Sequence, residues 1–150
     1  MEETNDARQL LQQLPLEHLF TYKSELVAHV FDAGFGNTRM FTQVSSGSFE
    51  GPDLCGHIAV GPSSESAIIR SDGVLIGEVN LVLVTDDDAE ILMRYTATAI
   101  PNERGYTVRN YPIFETAHEK YKWINLVQAI SLYSVVDGVV SPADVYRLGQ

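Results

Sequence analysis

The chain has 150 residues, 45% of them hydrophobic, which fits one globular domain. Its formal net charge is -10, from 20 acidic and 10 scattered basic residues, a balance that disfavours nucleic acids and anionic membrane surfaces as partners. The single cysteine, Cys55, cannot form an internal disulfide, and the sequence shows neither a signal peptide nor a membrane-spanning run, so we expect a soluble, cytoplasmic protein.

The first predicted element is a short helix over residues 3–14. Thr4 or Asp6 would cap this helix, its leucines would form one apolar stripe, and Pro15 would end it. We therefore assign residues 1–15 to an N-terminal helix or tail, and residues 16–150 to a single β-domain.

Short segments rich in β-forming residues follow, separated by turn residues. The predicted strands are 16–31, 40–44, 54–60, 67–69, 77–85, 91–100, 107–114, 127–136 and 140–146, with a helical turn at 118–121. Many short, regularly spaced strands are typical of an all-β barrel or sandwich. We favour an antiparallel barrel, because closing the sheet removes its exposed edges.

The run Gly-Ser-Phe-Glu-Gly-Pro-Asp-Leu-Cys-Gly at residues 47–56 resembles the G-x-F-E-G-P-x-L-x-G signature of a family of small β-barrel proteins. This family carries the domain of unknown function DUF3237, also called UPF0311. Three further runs resemble family motifs in the same order: residues 70–74, residues 85–87, and residues 114–116 followed by 121–125. The resemblance covers roughly residues 16–148. It implies a calycin-like or allene-oxide-cyclase-like barrel with polar groups in its cavity, but no particular reaction.

Two departures from the family pattern concern the cavity. The family usually has Gly-Gly-x-x-Trp after the third strand, where this chain has Gly-Pro-Ser-Ser-Glu-Ser at residues 61–66. The family commonly reads Asp-x-Arg-Tyr where this chain reads Glu78-Val79-Asn80-Leu81. The acid is kept but its cationic neighbour is lost, which indicates a pocket adapted to another ligand.

Glu78, Asn80 and His57 are the predicted catalytic residues. Glu78 and Asn80 share one strand face and Val79 and Leu81 the other, so only one pair can face the barrel interior. Burial of the valine and leucine would send Glu78 and Asn80 to solvent; the family pattern favours placing them in the cavity instead. There Glu78 would act as a general acid or base, with His57 as a proton shuttle or an ordinary half-buried residue.

The predicted ligand-binding residues are polar or aromatic groups in strands and turns, and each has a structural alternative. They are Tyr22, Arg70, Tyr95, Trp123 and Asn125. Arg70 would orient a ligand carboxylate or form a salt bridge at the rim, beside an Asp72 that caps its turn. Trp123 and Asn125 would share a strand face in the pocket, or serve as a core residue and a loop anchor.

We predict no metal and no cofactor. The four histidines show no close ligand pair, and no phosphate-binding loop or nucleotide fingerprint is present in the sequence.

Three functions remain open at this point. The first is a cofactor-independent enzyme of secondary metabolism, an isomerase, cyclase or lyase, acting on a small hydrophobic or aromatic metabolite in the barrel. The second is a carrier that binds such a ligand unchanged. The third is an assembly module whose exposed strand faces form a homo-oligomer. We rank them in this order.

Overall fold

The computed structural model describes residues 9 and 11–149, and most of them lie in β-strands. The strands are β1 (Leu16–Gly34), β2 (Asn37–Glu50), β3 (Cys55–Ile58), β4 (Ser64–Ile69), β5 (Leu75–Thr85), β6 (Glu90–Asn102), β7 (Gly105–Asn110), β8 (Ile113–Glu115), β9 (Ala129–Val136), β10 (Val139–Val140) and β11 (Ala143–Leu148). A 3-10 helix spans Glu119–Leu126. Gln9, Leu11 and Gln12 are helical, while residues 3–8 and 10 of the predicted N-terminal helix lie outside the described residues.

The strands form one antiparallel sheet that closes into a ring. Around the ring, β1 is followed by β2, β4, β5, β6, β7, β9 and β11, and β11 pairs with β1 again. Strand β3 also lies between β2 and β5, next to β4, and β8 pairs with β6 beyond the end of β7. The predicted all-β antiparallel barrel is therefore confirmed.

Alternating side chains fill the barrel with an apolar core. On β5, Val79, Leu81 and Leu83 are buried while Glu78 and Asn80 are exposed, the alternation expected of a sheet with one wet face. In one part of the core, β1, β2 and β8 bring three buried phenylalanines together. Phe20 lies edge-on to Phe49 and Phe114, with ring centroids 5.7 and 6.0 Å apart, a favoured aromatic geometry.

The 3-10 helix closes this end of the barrel, and Asp87 in the β5–β6 turn holds it there. The Asp87 carboxylate accepts hydrogen bonds from Thr85 Oγ1 at 2.6 Å, Tyr121 OH at 2.7 Å and Lys120 Nζ at 2.7 Å. The hydrogen bond from Lys120, followed by those from Thr85 and Tyr121, holds the pKa of Asp87 well below its usual value.

No described helical segment is long and apolar enough to cross a membrane.

Several predicted element boundaries are wrong. Strand β2 does not end at Val44 but runs to Glu50, because a bulge between the Leu26–Val44 and Glu25–Ser46 pairs restores its pairing with β1. The predicted helical turn at 118–121 is the longer 3-10 helix, which includes Trp123 and Asn125. These two residues therefore do not share a strand face.

Candidate functional site

A partly enclosed pocket lies in the half of the barrel away from the 3-10 helix. Its walls combine apolar and polar side chains: Tyr22, Ser24, Leu26, Thr42, Val44, Ser64, Glu65, Val79, Leu81, Tyr95, Tyr133, Val140, Ser141 and Ala143. The volume of this cavity is about 50 Å³. Since a buried water needs about 10–15 Å³ by that measure, the space suits a small organic group or a few waters.

Strand register places the polar groups of the pocket side by side. Thr42 on β2 pairs with Glu65 on β4, Glu65 pairs with Val79 on β5, and Val79 pairs with Tyr95 on β6. Directly opposed residues of antiparallel strands point to the same face of a sheet. Thr42, Glu65 and Tyr95 therefore form one row across the barrel wall, although they are far apart in the sequence.

Two tyrosines of the pocket form a hydroxyl pair. Tyr22 OH and Tyr95 OH lie 3.0 Å apart, and both residues are buried. Burial raises the pKa of Tyr22 to about 12, and burial also raises the pKa values of Tyr95 and Tyr133. All three hydroxyls stay protonated at neutral pH. Whichever member of the pair accepts the hydrogen bond keeps its own proton free for a ligand oxygen.

Glu65 is the only carboxylate among the described residues that line this pocket. Its side chain is half-buried and takes part in none of the ion pairs between described residues. Burial raises its pKa. Its negative charge contributes to the raised pKa values of Tyr22, Tyr95 and Tyr133. A raised pKa makes this carboxylate a stronger base than an exposed glutamate, which suits it to accept a proton from a ligand.

The Glu65 carboxylate occupies the space that a side chain at Gly77 would fill. A Cβ built on Gly77 would lie 2.5 Å from Glu65 Oε2 and 2.8 Å from its Cδ. Because Gly77 has no side chain, the Glu65 carboxylate can lie against β5, next to the pocket.

Thr42 adds an unused polar atom to the same row. Its side chain is buried, and its Oγ1 has no hydrogen-bond partner among the described residues. Buried polar atoms are normally paired, so an unpaired hydroxyl in the pocket wall is available to a ligand.

The predicted site residues fall into two groups. Tyr22 and Tyr95 line the pocket. Glu78 and Asn80 do not, and the prediction that they face the cavity is wrong: both are exposed on the outer surface, where Thr96 Oγ1 donates a hydrogen bond to Glu78 Oε1 at 2.9 Å. The physical reason is the burial of Val79 and Leu81 on the opposite face of β5.

His57 also lies on the outer surface. It is exposed, whereas its neighbour Ile58 is almost fully buried, so the strand face that carries His57 is not the cavity wall that we predicted. Cys55, on the same outer face, donates a hydrogen bond from Sγ to Asp86 Oδ2 at 3.1 Å.

The remaining predicted residues have structural contacts away from the pocket. Arg70 is exposed and forms an ion pair with Asp72 at 2.6 Å, while Asp72 Oδ1 accepts the N–H of Val74 at 3.1 Å and so caps the turn. Trp123 packs against the core from the 3-10 helix. Asn125 fixes the preceding loop through its hydrogen bonds with the backbone of Thr116, at 2.7 and 2.8 Å.

Glu65, Thr42 and Tyr133 were missed by the sequence analysis. Glu65 lies in the run Ser63-Ser64-Glu65-Ser66, which reads as a polar loop but whose last three residues begin β4. The available signal was alternation, since Glu65 shares a face with the buried Ala67 two residues later.

No group of three or more His, Cys, Asp or Glu residues that could hold a metal ion is found within residues 9 and 11–149.

Comparison with known proteins identifies relatives of similar fold. Residues 14–148 match a protein family described as "Protein of unknown function (DUF3237)", and no curated protein matches the chain. A protein of unknown function from Clostridium acetobutylicum ATCC 824 is 22% identical, with a TM-score of 0.80 over 91% of this chain and 99% of that chain.

Two further solved structures share the fold. A β-barrel-like protein from Acinetobacter baumannii AYE is 22% identical, with a TM-score of 0.76 over 90% of this chain and 96% of that chain. A structure described as an enzyme from Penicillium herquei is 20% identical, with a TM-score of 0.70 over 90% and 94% of the two chains.

Proposed function

The chain belongs to the DUF3237 family of proteins of unknown function, and we propose that it is an enzyme that moves a proton on a small hydrophobic ligand bound in the barrel. One observation carries this proposal: Glu65, a carboxylate whose pKa burial raises, lies in a largely apolar pocket with the Tyr22–Tyr95 hydroxyl pair. Such pockets, with a few converging polar groups and a shifted pKa, are where ligand chemistry is expected.

The two kinds of polar group have different roles in this proposal. The free hydroxyl proton of the Tyr22–Tyr95 pair donates a hydrogen bond to a carbonyl oxygen of the ligand. Ionised Glu65 removes a proton from the adjacent carbon, and the tyrosine hydroxyl stabilises the negative charge that develops on the oxygen. Glu65 then returns the proton to another atom, so that proton and charge balance without any further reactant.

This scheme accommodates the reaction types that barrel cavities of this kind suit. Return of the proton to a different carbon gives isomerisation, and transfer to a departing hydroxyl gives dehydration. For cyclisation, Glu65 removes the proton of a ligand hydroxyl while that oxygen attacks the β-carbon of a conjugated ketone, and it then returns the proton to the α-carbon. In each case the apolar wall, which includes Leu26, Val79 and Leu81, holds the ligand in a reactive orientation.

The polarity of the pocket favours a neutral ligand. Among the described lining residues there is no lysine, arginine or histidine, so a ligand carboxylate or phosphate would meet only Glu65 and neutral groups. A ketone or enone places its single polar end at the tyrosine hydroxyls and its apolar body against the wall. The relative from Penicillium herquei, described as an enzyme, is in keeping with a catalytic use of this barrel.

The test combines binding with proton exchange. The full chain is screened by thermal unfolding against small aromatic ketones and enones, and each binder is incubated with the protein in D2O while NMR follows exchange of the hydrogen next to the carbonyl. A ligand at about 100 times its Kd stabilises the protein by roughly 2.7 kcal/mol. For a chain of this length we expect the Tm to rise by about 5–10 °C.

Two glutamine variants test whether Glu65, rather than a carboxylate on the outer surface, removes the proton. Glu65→Gln should lower the exchange rate by about 100-fold or more, the contribution typical of a positioned base. Glu78→Gln, on the outer face of the neighbouring strand, should leave it unchanged. If a compound binds but its hydrogen does not exchange, the protein is a carrier rather than an enzyme. If no ketone or enone raises the Tm, the proposal is rejected.

A further inference from the structure

Strand β1 has a long edge with no neighbouring strand in the part of the chain that the structure describes. Strand β2 pairs with β1 from Thr21 to Gly34, but on the other side β11 pairs only from Leu16 to Tyr22. From residue 23 to residue 32, one row of β1 backbone groups therefore faces away from the barrel sheet.

This open edge is also apolar. Leu26, Val27, Val30 and Phe31 are 43%, 64%, 53% and 38% exposed, and no proline interrupts the segment. Proteins usually protect such an edge with proline, charge or a covering element, because an unpaired apolar strand recruits another strand. Between residues 26 and 31 the edge has neither proline nor any aspartate, glutamate, lysine or arginine, so we expect this part of it to be paired in solution.

We infer that the open edge of β1 pairs with the same edge of a second copy of the chain, in an antiparallel arrangement about a two-fold axis. A two-fold axis perpendicular to the sheet keeps matching faces on the same side, so residues of equal parity oppose each other. With the axis at Val27, Glu25 lies opposite His29 of the second copy, and the symmetry repeats this pair.

Charge supports a second copy as the occupant. The chain carries a net charge of -10, which opposes self-association over most of its surface. Between residues 23 and 32, however, the charged residues are only Lys23, Glu25 and Asp32, with His29 available as a partner for Glu25. This edge is therefore a segment where two acidic copies can approach without strong repulsion.

The inferred pairing also extends the pocket. Ser24 and Leu26 face inward and line it. In the Val27-centred register, Val30 of the second copy opposes Ser24 and Ala28 of the second copy opposes Leu26, so the partner lengthens the pocket wall. The inference concerns assembly and stands independently of the catalytic proposal.

Light scattering of the full chain tests the assembly. We expect a dimer, and Val27→Lys should give a monomer, because the axis would place two lysines directly opposite each other. Val27 is 64% exposed, so the variant should keep its fold, which thermal unfolding verifies. Phe35→Lys, at the fully exposed tip of the β1–β2 hairpin, is the matched control and should remain dimeric.

Cross-linking tests the register. Directly opposed residues have Cβ atoms about 4.5–5.5 Å apart, close to the reach of a disulfide. In a Cys55→Ser background, Val27→Cys should form a disulfide-linked dimer under mild oxidation, and Phe35→Cys should not. A monomeric wild-type chain, a Val27→Lys dimer, or equal cross-linking of both cysteine variants would overturn the inference.

Discussion

Replacing Gly77 with alanine tests whether the absence of a side chain on β5 positions the Glu65 carboxylate. The new Cβ would lie 2.5 Å from Glu65 Oε2, and ordinary contacts begin near 3.4 Å, so the carboxylate must move by about 0.9 Å. We expect this displacement to cost about 1 kcal/mol, between a strained rotamer at roughly 0.5–1.5 kcal/mol and an overpacked core at roughly 1–3 kcal/mol.

A double-mutant cycle isolates this cost. Glu65→Ala removes all three atoms that a Cβ at Gly77 would meet most closely. In that background Gly77→Ala should stabilise the protein by about 0.4–1 kcal/mol, because alanine restricts the unfolded chain. Urea unfolding of the four proteins gives the free energies. The same cycle with Glu78→Ala, on the outer face, is the control and should show no coupling.

Equal effects of Gly77→Ala with and without Glu65, within about 0.3–0.5 kcal/mol, would refute the positioning role of Gly77. Because displacement also carries the carboxylate away from the wall of the pocket, the alanine variant should slow proton exchange on a bound ketone. That loss should exceed any loss of ligand affinity, which thermal shifts measure separately.

Three further predictions concern buried or paired polar groups. Burial raises the pKa of Glu65 above its usual 4.5, so the folded state holds the proton more tightly and stability falls as the pH rises from about 4.5 through the folded-state pKa. When Tm is measured against pH, the Glu65→Gln variant should not show this fall. Parallel curves for the variant and the wild-type chain would contradict the prediction. The hydrogen bonds from Lys120, Thr85 and Tyr121 lower the pKa of Asp87 from its usual value of 3.8. They therefore stabilise the fold at pH values above 3.8, and this stabilisation is lost as the pH falls toward the lowered pKa. Asp87→Asn should therefore reduce the Tm at neutral pH, by an amount that narrows in acid; a constant difference would count against the network. Asn110 is buried, and neither Oδ1 nor Nδ2 has a hydrogen-bond partner among the described residues. Asn110→Leu should stabilise the protein by about 1–3 kcal/mol, roughly 2–4 °C in Tm for each kcal/mol, and a lower Tm would show that the amide is satisfied in solution.

The sequence by itself determined the class of fold and the family. Short β-rich segments between turn residues predicted a closed antiparallel sheet, since local patterning and turn chemistry are readable without the structure. The motif at residues 47–56 identified the family that the match over residues 14–148 establishes. Tyr22 and Tyr95 were singled out because aromatic residues with a polar end, placed in strands, suit a pocket wall.

Only the tertiary structure decided which strand faces line the cavity. A period of two places Glu78 and Val79 on opposite faces of the strand, but it does not tell which face is inside the barrel. The family pattern, which keeps an acid at this position, led to the wrong choice. Closing the sheet into a barrel determines which face is inside. Val79 packs in the core, and Glu65 and Tyr95, which are paired with it on the neighbouring strands, face inward as well. That row depends on the register between β4, β5 and β6 and on which of their faces turns inward when the sheet closes, and no local pattern specifies either.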